Sequence, residues 1–438
     1  MEFSTYLPSI SEKYGQGDIF YMKEETERVR LSGSDWRVKV EDSSLSHMNG
    51  YGVRVIRNGQ IGFSYGNKMT DDEMQKTISN SAQCALIGEK SQLMLPGSEG
   101  EQISEAQSNV ELASLAYQIS GVLLSKGIKT FDIISKRVLK NWELFNTNEG
   151  HVRSEEQVYY FEVDPVVTGK KSNTSFWLNI TGNPQSLNED ELVGKALDRA
   201  YSSLDGVKAN MKDVPVVFDS PEWSQIWLML LNAFSGANVG RGMSFFTHKE
   251  NSQVVAKNAS LVLCGEHPCI PQKYCFDQEG TPIDTTYLMK DGMFLTPYYS
   301  LASAAQFNKR PTGVGYRESF RNEPSEQPFI VHFEVSSTQP IESLDKYVLI
   351  TFLQGIFSGG LNSLSGNFSL GASGVLVDKG EHIPLSGITL SGNIWDALKQ
   401  IVATSKEETA YPIGIFPNPT GPWFVSPLVA LDGITVSG

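Results

Sequence analysis

No histidine in this sequence is followed by glutamate, and no two of its six histidines (His47, His151, His248, His267, His332 and His382) fall within two helical turns of each other. A helical zinc-peptidase motif needs two imidazoles on one face with a carboxylate base between them, so that motif is missing. A nucleophile elbow is missing too. Gly371-Ala-Ser373-Gly374 comes one position short of the Gly-x-Ser-x-Gly spacing that a tight strand-to-helix turn requires. No Gly-Lys-Ser/Thr occurs, and Gly169-Lys170-Lys171 lacks the hydroxyl of a phosphate loop. Long apolar runs are absent. The most apolar window, Ile226 to Phe234, is less than half of the ~20 residues that span a bilayer, so no membrane partner is expected. Lys and Arg form no long run and the net charge is −14, which argues against a nucleic-acid partner and fits simple solubility. The opening MEFSTYLPSISEKYGQGDIF has neither the basic start nor the apolar centre of a signal peptide. The expected location is the cytoplasm.

Cysteine is scarce, with four in 438 residues, yet three lie close together: Cys264, Cys269 and Cys275, with His267 among them. In a reducing compartment these are thiols. Zinc-type ligands at this spacing lack the paired Cys-x-x-Cys of zinc ribbons. The first reading is a loop of reduced thiols with no metal. A structural zinc on Cys264, His267, Cys269 and Cys275 is the alternative.

What is present is periodicity. Asn58-Gly59 between Gly52–Arg57 and Gln60–Tyr65 predicts a hairpin with a type I′ turn. An earlier strand pair is expected within 26–40, turning at Gly33-Ser34. Thr70 with Glu73 forms a capping box, followed by Met74, Ile78, Ala82 and Ala85 on one helical face. Further helices are expected at 109–126, stopped by Gly127, and at 189–204. Extended segments at 131–145 and 152–167 flank an Asn-Thr-Asn-Glu-Gly turn. Residues 1–210 thus read as an α+β domain with antiparallel hairpins and helices. Residues 211–438 read as a mostly antiparallel β domain. It opens with a strand at 214–218 and a helix capped by Ser220 with Pro221 in its first turn, and a late helix is expected at 393–404. The aromatics Tyr159, Tyr160, Tyr298 and Tyr299 are expected in the core.

Several separated segments resemble one known family, in family order: Gly52–Tyr65; Asp213–Glu222 with Phe234-Ser-Gly236; Asp277-Gln-Glu-Gly-Thr-Pro282 with Lys290-Asp-Gly-Met293; Ser365-Gly-Asn-Phe-Ser-Leu-Gly371; Gly387–Asn393; and Ser426–Gly433. The chain resembles the TldE (PmbA) side of the TldD/PmbA peptidase family. In that family, the resemblance implies, a TldD-like partner carries His-Glu-x-x-x-His and a distant Cys to hold zinc. The TldE-like partner lacks these ligands and completes a peptide channel. Trp227 and Asn232 stand near where the partner's histidines would be, and neither can replace an imidazole at zinc. The resemblance therefore implies a non-catalytic subunit of a zinc metallopeptidase complex that processes unfolded or modified peptides. This chain would bind no cofactor, and zinc would sit in the TldD-like partner. A homodimeric peptide-binding protein without peptidase activity is the alternative. Ser365, Gly366, Asn367, Phe368 and Ser369 are the candidate channel lining.

Overall fold

The computed structural model describes residues 2–103, 110–336, 338–413 and 418–438. The fold is α+β, with mainly antiparallel sheets. The first sheet is built on two long antiparallel strands, Gln16–Ser34 and Arg37–Arg57. They turn at Asp35-Trp36, where both residues take positive φ (49° and 69°), two residues beyond the expected Gly33-Ser34. Gly33 instead lies inside the strand against Phe131, whose ring leaves no room for a Cβ. The order continues through Gln60–Gly66 on one side and Phe131–Asn146 and His151–Thr168 on the other.

The turn at Asn58-Gly59 forms as expected, with φ of 51° and 74°. Gly59→Val should destabilise the chain by ~1–3 kcal/mol, because a β-branched residue resists this conformation. A Cβ there would also meet the Ser91 carbonyl at 3.3 Å. An unchanged denaturation midpoint would remove the turn from the list of strained positions.

Helix Asp71–Cys84 starts at Thr70, whose side chain accepts from the Glu73 amide, and buries Met74, Ile78 and Ala82. Helices Leu112–Ser125 and Glu189–Tyr201 pack together over the sheet, burying Leu115, Ile119, Leu192 and Ala196 against Ile133 and Phe161. The expected start of the first of these, Asn109, lies outside the described residues.

One pair on this sheet is electrostatically unfavourable. Asp132 and Asp164 are directly opposed across adjacent strands, where like charges repel. Burial first, then Glu162 and Asp132, push the Asp164 carboxyl up to about 7, against Arg30. The folded chain therefore holds this proton more tightly than the unfolded chain. The associated stability is fully present below the unfolded carboxylate pKa of about 3.9. It is lost as pH rises through about 7. Asp164→Asn should stabilise the chain by ~1–2 kcal/mol at about pH 8, discounted for partial exposure, and by almost nothing at about pH 4. Thermal melts at the two pH values check this. Equal gains at both would assign the effect to something other than this proton.

The second sheet, of 13 strands, runs from Ser252–Gln253 at one edge to Thr435–Ser437 at the other. Val216–Phe218 lies inside it, parallel to Lys346–Gln354 and antiparallel to Trp423–Leu431. The central helix Ser220–Phe234 follows directly. Its N-cap is Asp219 rather than Ser220, since the Asp219 carboxylate accepts from the Ser220 amide. Its apolar face carries Trp223, Trp227 and Leu230 into the main core with Phe333 and Phe424. The expected helix at 393–404 is one short turn, Ile394–Ala397, followed by strand Ile401–Pro412. Pairing with Trp423–Leu431 takes over there, helped by the β-branched run Ile401-Val402.

Two buried ionic clusters join residues 1–210 to residues 211–438. Arg54 donates to Asp18 at 2.6 Å within the first sheet and to Glu279 of the second domain at 2.6 Å. Arg317 reaches back to Asp18 at 2.9 Å, and all four side chains are at most 3% exposed. Burial disfavours the Arg54 charge, but Asp18 and Glu279 outweigh it and hold its pKa above the ordinary arginine value. The second cluster joins Arg199 of helix Glu189–Tyr201 to both oxygens of Glu222 at 3.0 Å, to Asp219, and to the Thr351 carbonyl at 2.8 Å.

Candidate functional site

A cleft of about 1010 Å³ lies between the Asn58-Gly59 end of the first sheet and the end of the central helix. The Asn58-Gly59 turn and residues 89–92 form one wall. Asn232, Ser235, Tyr298, Ser300, Glu326 and Arg241 belong to the other. The wall is built where the central helix ends. Gly236 donates its amide to the Tyr298 carbonyl at 2.8 Å, and a Cβ at Gly236 would lie 2.2 Å from the Tyr299 ring. Glycine alone permits that approach. Tyr298 is buried and donates its hydroxyl to the Leu231 carbonyl at 2.9 Å. Glu326 is fixed from three sides: it accepts from the Ser235 hydroxyl, and from the Ser300 hydroxyl and amide at 3.2 and 3.4 Å. Glu326 sits on a two-stranded ribbon, Gly315–Tyr316 with Ser325–Glu326, that pairs with no third strand among the described residues.

Among the described residues lining this cleft there is no His and no Cys. Trp227, placed by the resemblance near a ligand position, is fully buried, with ring centroids 5.0 Å from Phe333 and 5.5 Å from Phe424. Asn232 does line the cleft, and its side-chain amide donates to the Met229 carbonyl at 3.2 Å. An amide and a buried indole do not fit zinc.

None of Ser365, Gly366, Asn367, Phe368 or Ser369 lines the cleft. They form the entry to strand Asn367–Asp378. Asn362 caps the Ser365 amide at 2.8 Å, Asn393 bonds the Ser365 carbonyl and Asn367, and Phe368 is buried. Gly366 has φ +81° and abuts Trp395. Turn chemistry accounts for Ser365 and Asn367.

Cys264, Cys269 and Cys275 are free thiols. Burial pushes the Cys264 thiol up to about 11. Of the four residues Cys264, His267, Cys269 and Cys275, only His267 joins a group of convergent metal-type ligands, and its companions are His332 and Glu408. Spacing could not reveal that group, because its members lie on a loop and two strands far apart in sequence. Burial, then His332, pull the His267 imidazole below its ordinary value, with Glu408 opposing.

Residues 211–438, just over half of the chain, match the family model of the PmbA/TldA metallopeptidase C-terminal domain, and residues 17–85 match that of PmbA/TldA metallopeptidase domain 1. The chain belongs to the PmbA/TldD family. An uncharacterized protein of Methanocaldococcus jannaschii is 23% identical over 414 residues, 92% of this chain and 94% of that one. Metalloprotease PmbA of Escherichia coli O157:H7 is 25% identical over 214 residues, 48% of this chain and 44% of that protein. The crystal structure of TldE from Thermococcus kodakarensis matches with TM-score 0.82 at 18% identity, covering 100% of both chains. That of a candidate modulator of a DNA gyrase from Thermotoga maritima matches with TM-score 0.80 at 21% identity, covering 100% of this chain and 99% of the other. Within the family, the Asp277–Pro282 motif acquires a structural meaning here. Asp277 accepts from the amides of Glu279, Thr281 and Gly315 at 2.8–2.9 Å, which aims Glu279 at Arg54.

Proposed function

We propose that this chain is a TldE-type subunit that pairs with a zinc-bearing TldD-like chain and helps hold an extended peptide for cleavage, without supplying zinc ligands to the cleft. The observation that carries this reading is the cleft itself: it is large and polar, and its described lining offers neither imidazole nor thiolate. The Ser325–Glu326 strand at the cleft wall, which pairs with one strand only among the described residues, supports the peptide assignment. An extended chain adds to such an edge through its backbone, which suits substrates of varied sequence.

Co-expression with the TldD-like protein of the same organism tests the reading. The two chains should co-elute on size exclusion, and peptide cleavage should require both. If they elute separately and cleavage by the TldD-like chain ignores this one, the subunit reading fails, and a homodimeric peptide-binding protein replaces it.

A further inference from the structure

We propose that His267, His332 and Glu408 form a binding site for one divalent transition-metal ion of the zinc type, separate from the cleft. The three side chains come from distant parts of the second domain. His332 lies on strand Ile330–Val335, Glu408 on strand Ile401–Pro412, and His267 on the loop after strand Ala259–Cys264. One ligand atom from each lies within 4.8 Å of the other two. None of the three lines the cleft.

The geometry is close to what zinc requires. Ligand atoms at ~2.0–2.1 Å from a tetrahedral ion stand ~3.3–3.5 Å apart. His267 Nε2 is 3.5 Å from one Glu408 oxygen, and His332 Nε2 is 2.8 Å from the other. An ion needs the second pair to open by roughly half an ångström. The two imidazole side chains are only 11% and 13% exposed, and Glu408 is 34% exposed, so one position faces solvent and suits a water ligand.

Two further features point to a ligand. The strand bearing Glu408 slips register against its partner between Thr404 and Glu408. Such irregularities re-aim side chains at functional places. His332 has carboxylates at both ring nitrogens, since Nδ1 also faces Glu334 at 3.4 Å. A neutral imidazole can donate to only one of them. An ion at Nε2 resolves this: Nδ1–H then donates to Glu334, the outer carboxylate that orients metal-binding histidines. At His267 the Cys269 amide donates to Nδ1 at 3.2 Å. Metal at Nε2 moves the ring proton to Nδ1 and releases that amide, so loading should rearrange the turn at 267–269. Beyond that turn, the Cys275 amide donates to Gln102 of the first domain at 2.7 Å. The ion would therefore pin one end of an interdomain loop.

Tag-free full-length chain, stripped with chelator and dialysed, should bind about one Zn2+ by calorimetry with micromolar or tighter affinity. Co2+ should give a visible absorption band and Zn2+ should abolish it. His332→Gln and Glu408→Gln should each weaken binding ~100-fold, and Glu334→Gln ~10-fold, as for loss of an outer partner. Circular dichroism would confirm that the variants are folded. The proposal is overturned if the parent chain binds no Zn2+ at ~100 μM, or if the double variant His332→Gln/Glu408→Gln binds as tightly as the parent.

Discussion

Arg54→Ala should destabilise the chain by ~3–5 kcal/mol, because it leaves Asp18 and Glu279 as buried carboxylates with too few donors. Asp18 keeps one bond to Arg317, but Glu279 keeps, among the described residues, the Leu301 amide alone at 3.2 Å. Neither oxygen pair has water to turn to, since both side chains are at most 1% exposed. The effect should survive high salt, because screening acts weakly on buried pairs. Urea denaturation of parent and variant at low and high salt measures it. A loss below ~1 kcal/mol would mean that the site relaxes to admit solvent, as exposed pairs do.

Trp227→His is the second large effect, and it separates two ideas about the central helix. If the helix were a zinc site lacking only its imidazoles, histidine here would add metal affinity to the cleft. The packing says otherwise. Trp227 fills a fully buried aromatic cluster with Trp223, Phe333 and Phe424. Histidine leaves a void and brings a second polar nitrogen, for an expected loss of ~3–5 kcal/mol. No zinc should be gained at the helix, which is best measured in a His332→Gln background. Retained stability together with a new bound ion would refute this account.

Local chemistry made much of the fold readable. Asn58-Gly59, the Thr70 cap and the Gly127 stop act over a few residues, and each does in the structure what it does in sequence. Long-range pairing was not readable. The helix expected at 393–404 lost to a strand because Trp423–Leu431 lies beside it, which spacing cannot reveal. The strand pair expected within 26–40 extends over 16–57, and the length of its second strand escaped because residues 37–49 are polar and mostly exposed, without the alternation that marks a half-buried strand. For the site, the Phe-Ser-Gly mark does lie at the cleft, where Gly236 and Ser235 shape one wall. Glu326, Ser300 and Arg241 carried no sequence signal, and the Ser365–Ser369 run lies outside the lining of this cleft, at a turn held by Asn362 and Asn393.

The ionic joints have a consequence for dissecting the protein. A fragment carrying residues 211–438 keeps Glu222 and Glu279 but loses Arg199 and Arg54, so both acids would face solvent or apolar surface without their cations. A fragment of residues 1–210 alone would leave Arg199 without Glu222 and Asp219, and Arg54 with Asp18 alone. Each half is thus electrostatically incomplete, and the chain should behave as one cooperative unit with a single unfolding transition. Shuffling halves between relatives would succeed only where the arginine of one half meets the carboxylate of the other.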